Sequence, residues 1–394
     1  MPMQWRTSQL LGRTGTTSGT GRRHPTVVTH TGRSPTSIRV EGRPRPDSKS
    51  MKRWIRRVAF GLAFLLALAV IIGAGYEITG RRRAAREFPP PGKLVDIGGR
   101  RIQLDCRGTG SPTVVFEAGL DMNGSLSWST VHDSIAKTTR ACAYSRAGIM
   151  WSDPHDGPLT GRTVAEDLHA TLRAAGERPP FVLVRHSIGG PYIMVYTKYF
   201  GSDVAGLVFV DASHPDQVSR FKEVTPVTIH ESMRVYRVAA ALSRTGFVRA
   251  MSGSAGGAPN EPSAAARASA AYASTSLGTL VKESDALDAT LAEAGTFRQL
   301  GDRPLFVLTA AAPRSSEDLA AMKMTSAQGK RWSEIWGTMQ DEEAGWSSRS
   351  QHNVLPDASH YIQFDRPDAV IRAIRSVVDS VRHGSDRDTS TAKR

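Results

Sequence analysis

Residues 181–190, FVLVRHSIGG, constrain the fold of this chain more than any other part of the sequence. The apolar run at 181–184 indicates a buried strand, and residues 190–196, GPYIMVY, indicate the start of a helix. A strand, a sharp turn and a helix in this order would present the Ser187 hydroxyl at the carboxyl end of the strand, with the helix N-terminus behind it. A serine hydroxyl is a weak nucleophile until a base takes its proton. The pattern therefore predicts a reactive serine that needs a base, an acid and oxyanion donors from elsewhere in the chain.

Apolar strands alternate with helical segments on both sides of this stretch. A hairpin is predicted at 93–106, because apolar residues alternate on either side of a Gly-Gly turn. Further strands are predicted at 113–116, 141–144, 181–184, 207–210, 305–308 and 353–355, and helices at 164–175, 193–200, 330–339 and 367–381. This alternation after an antiparallel hairpin predicts an α/β fold with a doubly wound, mostly parallel sheet.

The alternation stops between residues 216 and 303, which are Ala-rich and helical in pattern. Because the sheet pattern resumes afterwards, this segment is predicted to be a helical cap inserted over the strand ends, with a flexible stretch at 253–257. Its large apolar side chains would line a pocket for a lipid-like or aromatic acyl group, although packing within the cap is the simpler interpretation. These side chains are Phe221, Met233, Tyr236, Phe247 and Met251.

The net charge of +14 is concentrated near the amino terminus. Residues 1–57 hold 13 Lys or Arg against 2 Asp or Glu, a net +11, which leaves +3 for the rest of the chain. Residues 1–50 have no apolar periodicity, so they are predicted to be a disordered basic leader, and Met51 resembles the true start of translation. Because the basic composition describes a tail, no nucleic-acid partner is expected.

Residues 58–76 form an apolar segment of 19 residues without a charge. At about 1.5 Å per residue, this length just suffices to cross a hydrocarbon core of about 30 Å. The cationic flank at 51–57 favours a cytoplasmic amino terminus and an extracytoplasmic body. We therefore expect a membrane anchor at 58–76, and a signal peptide cleaved near the small residues at 73–75 is the alternative.

Five short motifs follow predicted strands in an order that resembles a known family. They are FEAGL at 116–120, RACAYSRAG at 140–148, HSIGG at 186–190, VDASHPDQ at 210–217 and SHYI at 359–362. With these motifs, residues 93–381 resemble the α/β-hydrolase superfamily, and within it the exported or membrane-anchored serine hydrolases. The resemblance implies the α/β-hydrolase fold, with a mostly parallel eight-stranded sheet flanked by helices and an inserted helical cap. It implies no cofactor and a small-molecule acyl substrate.

The resemblance assigns roles to residues of these motifs. Ser187 would be the nucleophile, although a serine at this place can also simply cap the following helix. His360 would be the general base, because it follows the last strand and obeys the chain order Ser, Asp, His of this fold. The acid is open between two strand ends. Asp211, directly after the strand that follows Ser187, is preferred, and Asp318 and Glu317, after the next strand, are the alternatives.

The resemblance also implies oxyanion donors and a disulfide. The donors would be the backbone N–H groups of Leu120 and Ile188. In this fold the second strand lies beside the fourth, which would put Cys106 next to Cys142. Two cysteines in an exported body suit a disulfide, and two unrelated buried thiols are the alternative. The sequence contains no metal-binding motif, and a serine at the turn disfavours the chemistry of epoxide hydrolases and haloalkane dehalogenases, which use Asp there.

Three residues depart from the family's pattern. Arg185 stands where the tight turn normally has glycine, so its side chain must find an exit or the turn must relax. Ser145 stands where Asp is usual, and Met150 where Gly is expected. These changes leave open a weakened enzyme, a shifted substrate or a pseudo-enzyme that retains the pocket. The expected function is a serine hydrolase that cleaves an ester or related acyl bond through an acyl-enzyme. The alternatives are a non-catalytic ligand-binding protein on the same fold and a peptidase or acyltransferase with the same triad.

The expected organisation runs from the leader to a disordered tail. The segments are the leader at 1–50, a cytoplasmic flank at 51–57, the anchor or signal segment at 58–76, a linker at 77–92, the first part of the core at 93–215, the cap at 216–303, the second part of the core at 304–383 and the tail at 384–394.

Overall fold

The computed structural model describes residues 48–225, 229–252 and 257–391. The expected leader lies outside these residues except for its last three residues, which belong to the first helix, and so does most of the flexible stretch expected in the cap. The chain forms two compact units, whose boundary falls inside the first helix, between residues 71 and 72. The sheet, the cap and the candidate site all belong to the unit that contains residues 72–394.

Eight strands form one sheet. They are β1 (Lys93–Asp96), β2 (Arg101–Arg107), β3 (Thr113–Glu117), β4 (Ala141–Tyr144), β5 (Phe181–His186), β6 (Val204–Val210), β7 (Leu305–Ala310) and β8 (Ser350–Leu355). Their order across the sheet is β1-β2-β4-β3-β5-β6-β7-β8. Strand β2 pairs antiparallel with β1 and β4, and the other pairings are parallel. The central strands β3, β4 and β5 are buried along their whole length, which explains their apolar sequences. The expected fold class is confirmed.

Some helices cover the two faces of the sheet, and the described residues contain fourteen α-helices in all. They are α1 (Ser48–Glu87), α2 (His132–Ala136), α3 (Gly161–Ala174), α4 (Gly189–Tyr199), α5 (Gln217–Phe221), α6 (Ile229–Ser232), α7 (Arg234–Ala241), α8 (Phe247–Ser252), α9 (Ser263–Asp285), α10 (Leu287–Ala294), α11 (Ser316–Ala321), α12 (Ser326–Ala344), α13 (Ile362–Asp365) and α14 (Pro367–Thr391). On one face, α3 and α4 contribute Leu168 and Ile193 to the larger core cluster. On the other face, α2 and α14 contribute Ile135 and Ile374 to the second cluster.

The parallel register aligns the carboxyl ends of the central strands. Glu117, the last residue of β3, lies beside Arg185 of β5, and His186, the last residue of β5, lies beside Val210, the last residue of β6. The residues that follow these strands therefore emerge at one edge of the sheet, where ligands of open α/β sheets bind. Ser187 and Asp211 are two of these residues.

Helices α5 to α10 occupy the segment expected to form a cap, and no strand occurs among its described residues. Met233 and Tyr236 are buried there, but Phe247 and Met251 are 53% and 51% exposed. Phe221 stacks outside this group, on Trp332 of α12. The five residues therefore do not line one pocket, which was the less favoured interpretation, and packing within the cap describes only Met233 and Tyr236, because α8 presents its two large apolar side chains to the outside.

The expected linker at 77–92 is largely helical, because α1 continues through Glu87. The side chain of Glu77 explains why the chain does not leave the helix at residue 76. It is only 3% exposed and accepts hydrogen bonds from Arg81, Arg249 and Ser274. A carboxylate with three donors stays buried at little cost, so this turn of the helix is held against the cap.

The expected disordered tail from residue 384 is helical as far as Thr391. The final helix was expected to end at Val381, but no proline follows there to interrupt the backbone hydrogen bonds. Gly384 lowers helix propensity without ending the helix.

A disulfide joins Cys106 and Cys142. The two residues are directly opposite each other on the antiparallel strands β2 and β4, so the pairing of the strands already brings their Cα atoms to 4.0 Å. The bridge lies near the end of the sheet where the first hairpin, β1 and β2, pairs with β4. The two cysteines are 36 positions apart in the sequence.

Replacing both cysteines by serine should lower the free energy of unfolding by about 4 kcal/mol, because the bridge restricts the unfolded chain. Urea denaturation of the wild type and the Cys106→Ser/Cys142→Ser variant measures this difference. Reduction of the wild type with dithiothreitol should lower its denaturation midpoint to that of the variant. Equal midpoints for the oxidised and reduced wild type would contradict the prediction.

Candidate active site

Ser187 occupies a sharp turn between β5 and α4. Its φ angle is +52°, in the left-handed region that a residue with a side chain adopts only at a cost, on the order of 1–3 kcal/mol. Two backbone hydrogen bonds hold this conformation, since the Ser187 carbonyl accepts from the N–H groups of Gly190 and Ser213 at 2.9 and 2.8 Å. The serine side chain is thereby presented at the end of the strand, ahead of the helix.

His360 lies between Ser187 and Asp211. Its Nε2 is 2.9 Å from the Ser187 Oγ, and its Nδ1 is 2.6 Å from the Asp211 Oδ2. A hydroxyl, an imidazole and a carboxylate in this order form the arrangement in which the imidazole can take the hydroxyl proton while the carboxylate orients the ring. The structure thus brings together the three residues expected from the sequence to act as nucleophile, base and acid.

Neighbouring groups hold the loop that carries His360. The Ser359 N–H donates to the Asp365 Oδ2 at 2.7 Å, just after the loop. The His360 carbonyl accepts from the Nε2 of His186 at 2.8 Å. Burial lowers the pKa of His186 well below its usual value, and the nearby His360 lowers it further, so this ring is neutral near pH 7. Since a carbonyl only accepts, the proton of His186 is on Nε2.

Asp211 has hydrogen-bond partners for both carboxylate oxygens. Besides the bond from Oδ2 to His360, its Oδ1 accepts from the indole N–H of Trp336 at 2.8 Å and from the Ala310 N–H at 2.9 Å. Asp211 is 2% exposed and has a φ of +44°. Trp336 was not expected from the sequence, because an indole on a helix far along the chain gives no local sign of its partner.

The two alternative acids lie elsewhere. Asp318 closes a capping box with Ser315 at the start of α11, where each side chain bonds the backbone of the other. Glu317 is an exposed residue in the same turn. Neither carboxylate contacts His360 among the hydrogen bonds of the described residues, so Asp211 is the acid that the geometry supports.

The backbone N–H groups of Leu120 and Ile188 flank the turn. Ile188 is the residue before α4, so its N–H belongs to the positive end of the helix. Within the described part of the chain, neither N–H donates to a protein acceptor. Two such donors near a nucleophile can stabilise a negatively charged oxygen, each contributing about 2.7–4 kcal/mol in sites of this type.

Arg146 holds the loop that carries Leu120. Its guanidinium donates to the carbonyl oxygens of Ala118 and Gly119 at 2.9 and 2.7 Å. It also pairs with Glu117 at 2.7 Å and with Glu283, on cap helix α9, at 2.7 Å. One buried cation therefore fixes the loop beside Ser187 and joins it to the cap.

The charges of this network are unequal, because two carboxyls share one guanidinium. Burial raises the pKa of Glu117 to about 7, although Arg146 and a hydrogen bond from Tyr144 oppose the shift. At neutral pH the carboxyl of Glu117 is therefore close to the midpoint of its titration.

Arg185 neither leaves the protein nor relaxes the turn. Its side chain is completely buried, lies over the ring of Phe209 and comes within 3.5 Å of the Glu343 carboxylate. Gly190 provides the space, since a Cβ there would lie 2.8 Å from the Arg185 Nη1. Burial lowers the pKa of Arg185 and raises that of Glu343, while the attraction between the two groups opposes both shifts. Arg185 is thus accommodated behind the turn, away from the hydrogen bonds of His360.

The other two departures lie in the loops that support the site. Ser145 is buried and bonds the side chain of Gln103 and the N–H of Ser125, in the segment after Leu120. Met150 has a φ of +52°, a strained value for this residue type, and its N–H donates to Ser276 of the cap. Ser145 thus supports these loops through its hydroxyl group, and Met150 through its backbone.

The structure offers one group of side chains at metal-ligand distances within its described residues, Cys106, Cys142 and Glu177. Because the two sulfur atoms form a disulfide, they cannot act as thiolate ligands.

Several solved structures resemble this fold. The enol-lactonase from Burkholderia xenovorans LB400 matches with a TM-score of 0.51 and 16% identity, over 73% of this chain and 100% of that chain. The protein DBJA matches with a TM-score of 0.53 and 16% identity, over 74% and 97%. A mutant of a candidate epoxide hydrolase from Pseudomonas aeruginosa matches with a TM-score of 0.51 and 17% identity, over 75% and 98%. At such identities the similarity establishes the fold alone, which is the α/β-hydrolase fold.

Sequence comparison gives relatives that match only part of the chain, and no family model matches it. The protein named "Probable transporter efuK" from Hormonema carpetanum is 35% identical over 130 residues, which are 30% of this chain and 18% of that protein. The uncharacterized protein YbdG from Bacillus subtilis is 23% identical over 175 residues, 44% of this chain and 54% of that protein. The chain thus spans only 18% and 54% of the length of these two curated relatives.

The raised pKa of Glu117 predicts a pH dependence of stability. Between about pH 4.5 and 7 the folded protein binds more protons at this carboxyl than the unfolded chain does, so this contribution to the unfolding free energy falls as the pH rises. Glu117→Gln should remove a fall of about 3 kcal/mol across this window. Urea denaturation at pH 5 and pH 8 measures the difference.

The control for this prediction is Glu334→Gln, at an exposed carboxyl paired with Arg331. It should leave the pH dependence of the wild type unchanged. If Glu117→Gln shows the same loss of stability between the two pH values as the wild type, Glu117 does not titrate in this range.

Proposed function

We propose that this protein is a serine hydrolase that cleaves an ester or a related acyl bond through an acyl-enzyme intermediate at Ser187. The observation that carries the proposal is the continuous hydrogen-bond path from Asp211 through His360 to the Ser187 Oγ. The two backbone N–H groups beside the serine supply the remaining requirement of acyl transfer, a place for the developing oxyanion.

The proposed reaction begins when the His360 Nε2 takes the proton of the Ser187 hydroxyl. The serine oxygen attacks the carbonyl carbon of the substrate, and the N–H groups of Leu120 and Ile188 stabilise the resulting oxyanion. The protonated imidazole then gives its proton to the leaving alcohol, which leaves the acyl group on Ser187. Water, activated by His360, releases the acid and restores the serine. Asp211 holds the ring in the tautomer that keeps Nε2 free to accept the proton.

The surroundings of the oxyanion donors favour an apolar acyl group. The side chain of Leu120 packs against a buried cluster that includes Met122, Met233 and Tyr236. Ile188 belongs to a second apolar cluster, with Leu287 of cap helix α10. An acyl chain entering between these clusters would replace water with apolar contacts on both sides of the reacting carbonyl.

We further propose that residues 58–76 are a retained membrane anchor, with residues 51–57 cytoplasmic and the catalytic unit outside the cytoplasm. Helix α1 is long and apolar enough to cross a membrane. The contact of Gly73 with the cap supports retention, because a Cβ at Gly73 would lie 2.0 Å from the carbonyl oxygen of Thr245. The small residues at 73–75, where a signal peptide would be cut, are therefore packed against the folded body.

A fluorophosphonate probe tests the nucleophile. It should label the wild-type protein covalently, and Ser187→Ala should abolish labelling, because the probe reacts with an activated serine hydroxyl. Ser213→Ala is the matched control, since it removes the side chain of a neighbouring buried serine. Intact-mass spectrometry measures the adduct. A folded wild-type protein that takes up no probe would indicate a ligand-binding protein on the same fold.

Substitution of the carboxylates tests the acid. Asp211→Asn should lower the turnover of a p-nitrophenyl ester on the order of 10⁴-fold, because the imidazole loses the partner that orients it and stabilises its charge. Asp318→Asn and Glu317→Gln should retain wild-type turnover. Loss of turnover in Asp318→Asn, with Asp211→Asn active, would transfer the role to the other strand end.

A release assay separates hydrolysis from the two related functions. A serine hydrolase produces free acid from the ester at a rate that added alcohols or amines leave largely unchanged. Product formation only in the presence of an added alcohol would identify an acyltransferase, and preference for an amide bond would identify a peptidase.

A further inference from the structure

The cap exposes a group of large apolar side chains on α7, α8 and the short turn between them. We name this group the cap apolar face: Val235, Val238, Leu242, Phe247 and Met251. Their exposed fractions range from 38% for Leu242 to 75% for Val235. Outside α1, the other large apolar residues exposed to this degree in the described residues are Tyr199, Val218 and Val354, which lie on separate elements. Exposed large apolar side chains are therefore concentrated in this one short segment of the cap, as is typical of a surface that contacts a partner or a membrane.

The spacing of these residues gives each helix an apolar side. Positions 235, 238 and 242 recur at helical spacing along α7 and its end, and positions 247 and 251 do so along α8. The opposite sides of the two helices are buried in the protein, where Tyr236 and Val248 join the apolar cluster against which Leu120 packs. These helices therefore have one apolar side toward the candidate site and another toward the outside.

The turn between α7 and α8 touches the end of the apolar segment of α1. A Cβ at Gly73 would overlap the carbonyl oxygen of Thr245, and a Cβ at Gly246 would meet the Gly73 backbone and the ring of Tyr76. Gly73 and Tyr76 belong to the last turn of the uncharged segment 58–76. This part of the cap is therefore in backbone contact with residues of the proposed anchor.

Polar contacts fix this arrangement one turn further along α1. The Glu77 carboxylate accepts from the Arg249 Nε at 2.9 Å and from the Ser274 Oγ at 2.7 Å, and it is almost completely buried. The same guanidinium donates to the Ala271 carbonyl of α9 at 3.0 Å. Because charged groups hold residues 77–80 of α1 to the cap, the contact of Gly73 with Thr245 is a fixed part of the fold.

Exposed cations accompany the apolar side chains. Arg234, at the start of α7, and Arg244, in the turn between α7 and α8, are both exposed. Apolar side chains next to exposed arginines suit the boundary between acyl chains and anionic headgroups, where each cation contributes about 1 kcal/mol of attraction to an anionic surface.

We propose that the cap apolar face lies in the headgroup region of the bilayer that holds α1. Because Gly73 and Tyr76 contact the turn at Thr245 and Gly246, this turn would lie at the end of the proposed anchor, and the neighbouring cap apolar face would meet the headgroups there. The proposal rests on the anchor stated above. Taken with the proposed hydrolase, it assigns the substrate to acyl esters dissolved in the membrane, because the helices that contact the lipid also pack against Leu120, one of the proposed oxyanion donors.

Fluorescence quenching in proteoliposomes tests the membrane contact on the full-length chain. Because Cys106 and Cys142 are joined, a single introduced cysteine can carry an environment-sensitive fluorophore. Val238→Cys, labelled in vesicles of phosphatidylcholine and phosphatidylglycerol, should be quenched at least about twofold more by lipids with a shallow nitroxide than the control, since an interfacial side chain lies roughly 5–10 Å into the boundary. The control is Val354→Cys on β8, at a side chain 56% exposed compared with 62% for Val238.

A third position separates failure of this proposal from failure of the anchor. Leu66→Cys, in the middle of the apolar segment, should be quenched by a deep nitroxide if α1 spans the bilayer. Quenching at 66 with equal, weak quenching at 238 and 354 would overturn the proposal while retaining the anchor. Absence of quenching at 66 would overturn both. If the fluorophore at position 238 reports an apolar environment that depends on protein concentration and is not quenched by the nitroxide, the face contacts a second copy of the chain. This result would also overturn the proposal.

Discussion

The hydrogen bond between Asp211 and His360 is the interaction on which the candidate site depends. It joins the end of β6 to a loop after β8, across 149 positions of sequence. The bond forms because parallel strands in register end at one edge of the sheet, so a short loop suffices to return the imidazole. The remaining bonds of Asp211, from Trp336 and Ala310, keep the carboxylate in place and oriented. Without this partner, the imidazole beside Ser187 would lack both a fixed tautomer and a neighbouring negative charge.

Two strained residues show what this geometry costs. Ser187 and Asp211 both have positive φ angles, although neither is glycine. In each case the backbone turns sharply at the end of a buried strand, which directs the side chain along the sheet edge and not into a face of the core. The neighbouring strands compensate, since the Asp211 N–H donates to Leu308 and the Ser187 carbonyl accepts two bonds. The hydrogen bonds and packing of the surrounding sheet therefore offset the cost of the strained backbone at Ser187 and Asp211.

Two buried arginines have different consequences for the site. Arg146 has an acceptor for each of its nitrogen atoms and links the loop that carries Leu120 to the cap, so it contributes both order and charge balance. Arg185 is also completely buried, but its guanidinium nitrogens have no hydrogen-bond partner among the described residues, and Glu343 is its nearest opposite charge. Such a pair is costly to bury and contributes little to stability. The fold accepts it because Gly190 and the ring of Phe209 leave room for the side chain behind the turn.

The sequence by itself determined the order of strands and helices, the turn that places Ser187 at the end of a strand and the apolar segment of α1, because each depends on local pattern: apolar runs, helical periodicity and glycine at a turn. It also indicated His360 and preferred Asp211, through the chain order of a familiar fold. It did not show that Trp336 bonds Asp211, that Arg146 holds the loop with Leu120 or that Glu77 continues the first helix into the cap. Only the tertiary structure decided these contacts, because each joins side chains far apart in the chain, and burial and hydrogen-bond geometry there depend on how the whole sheet and its helices pack.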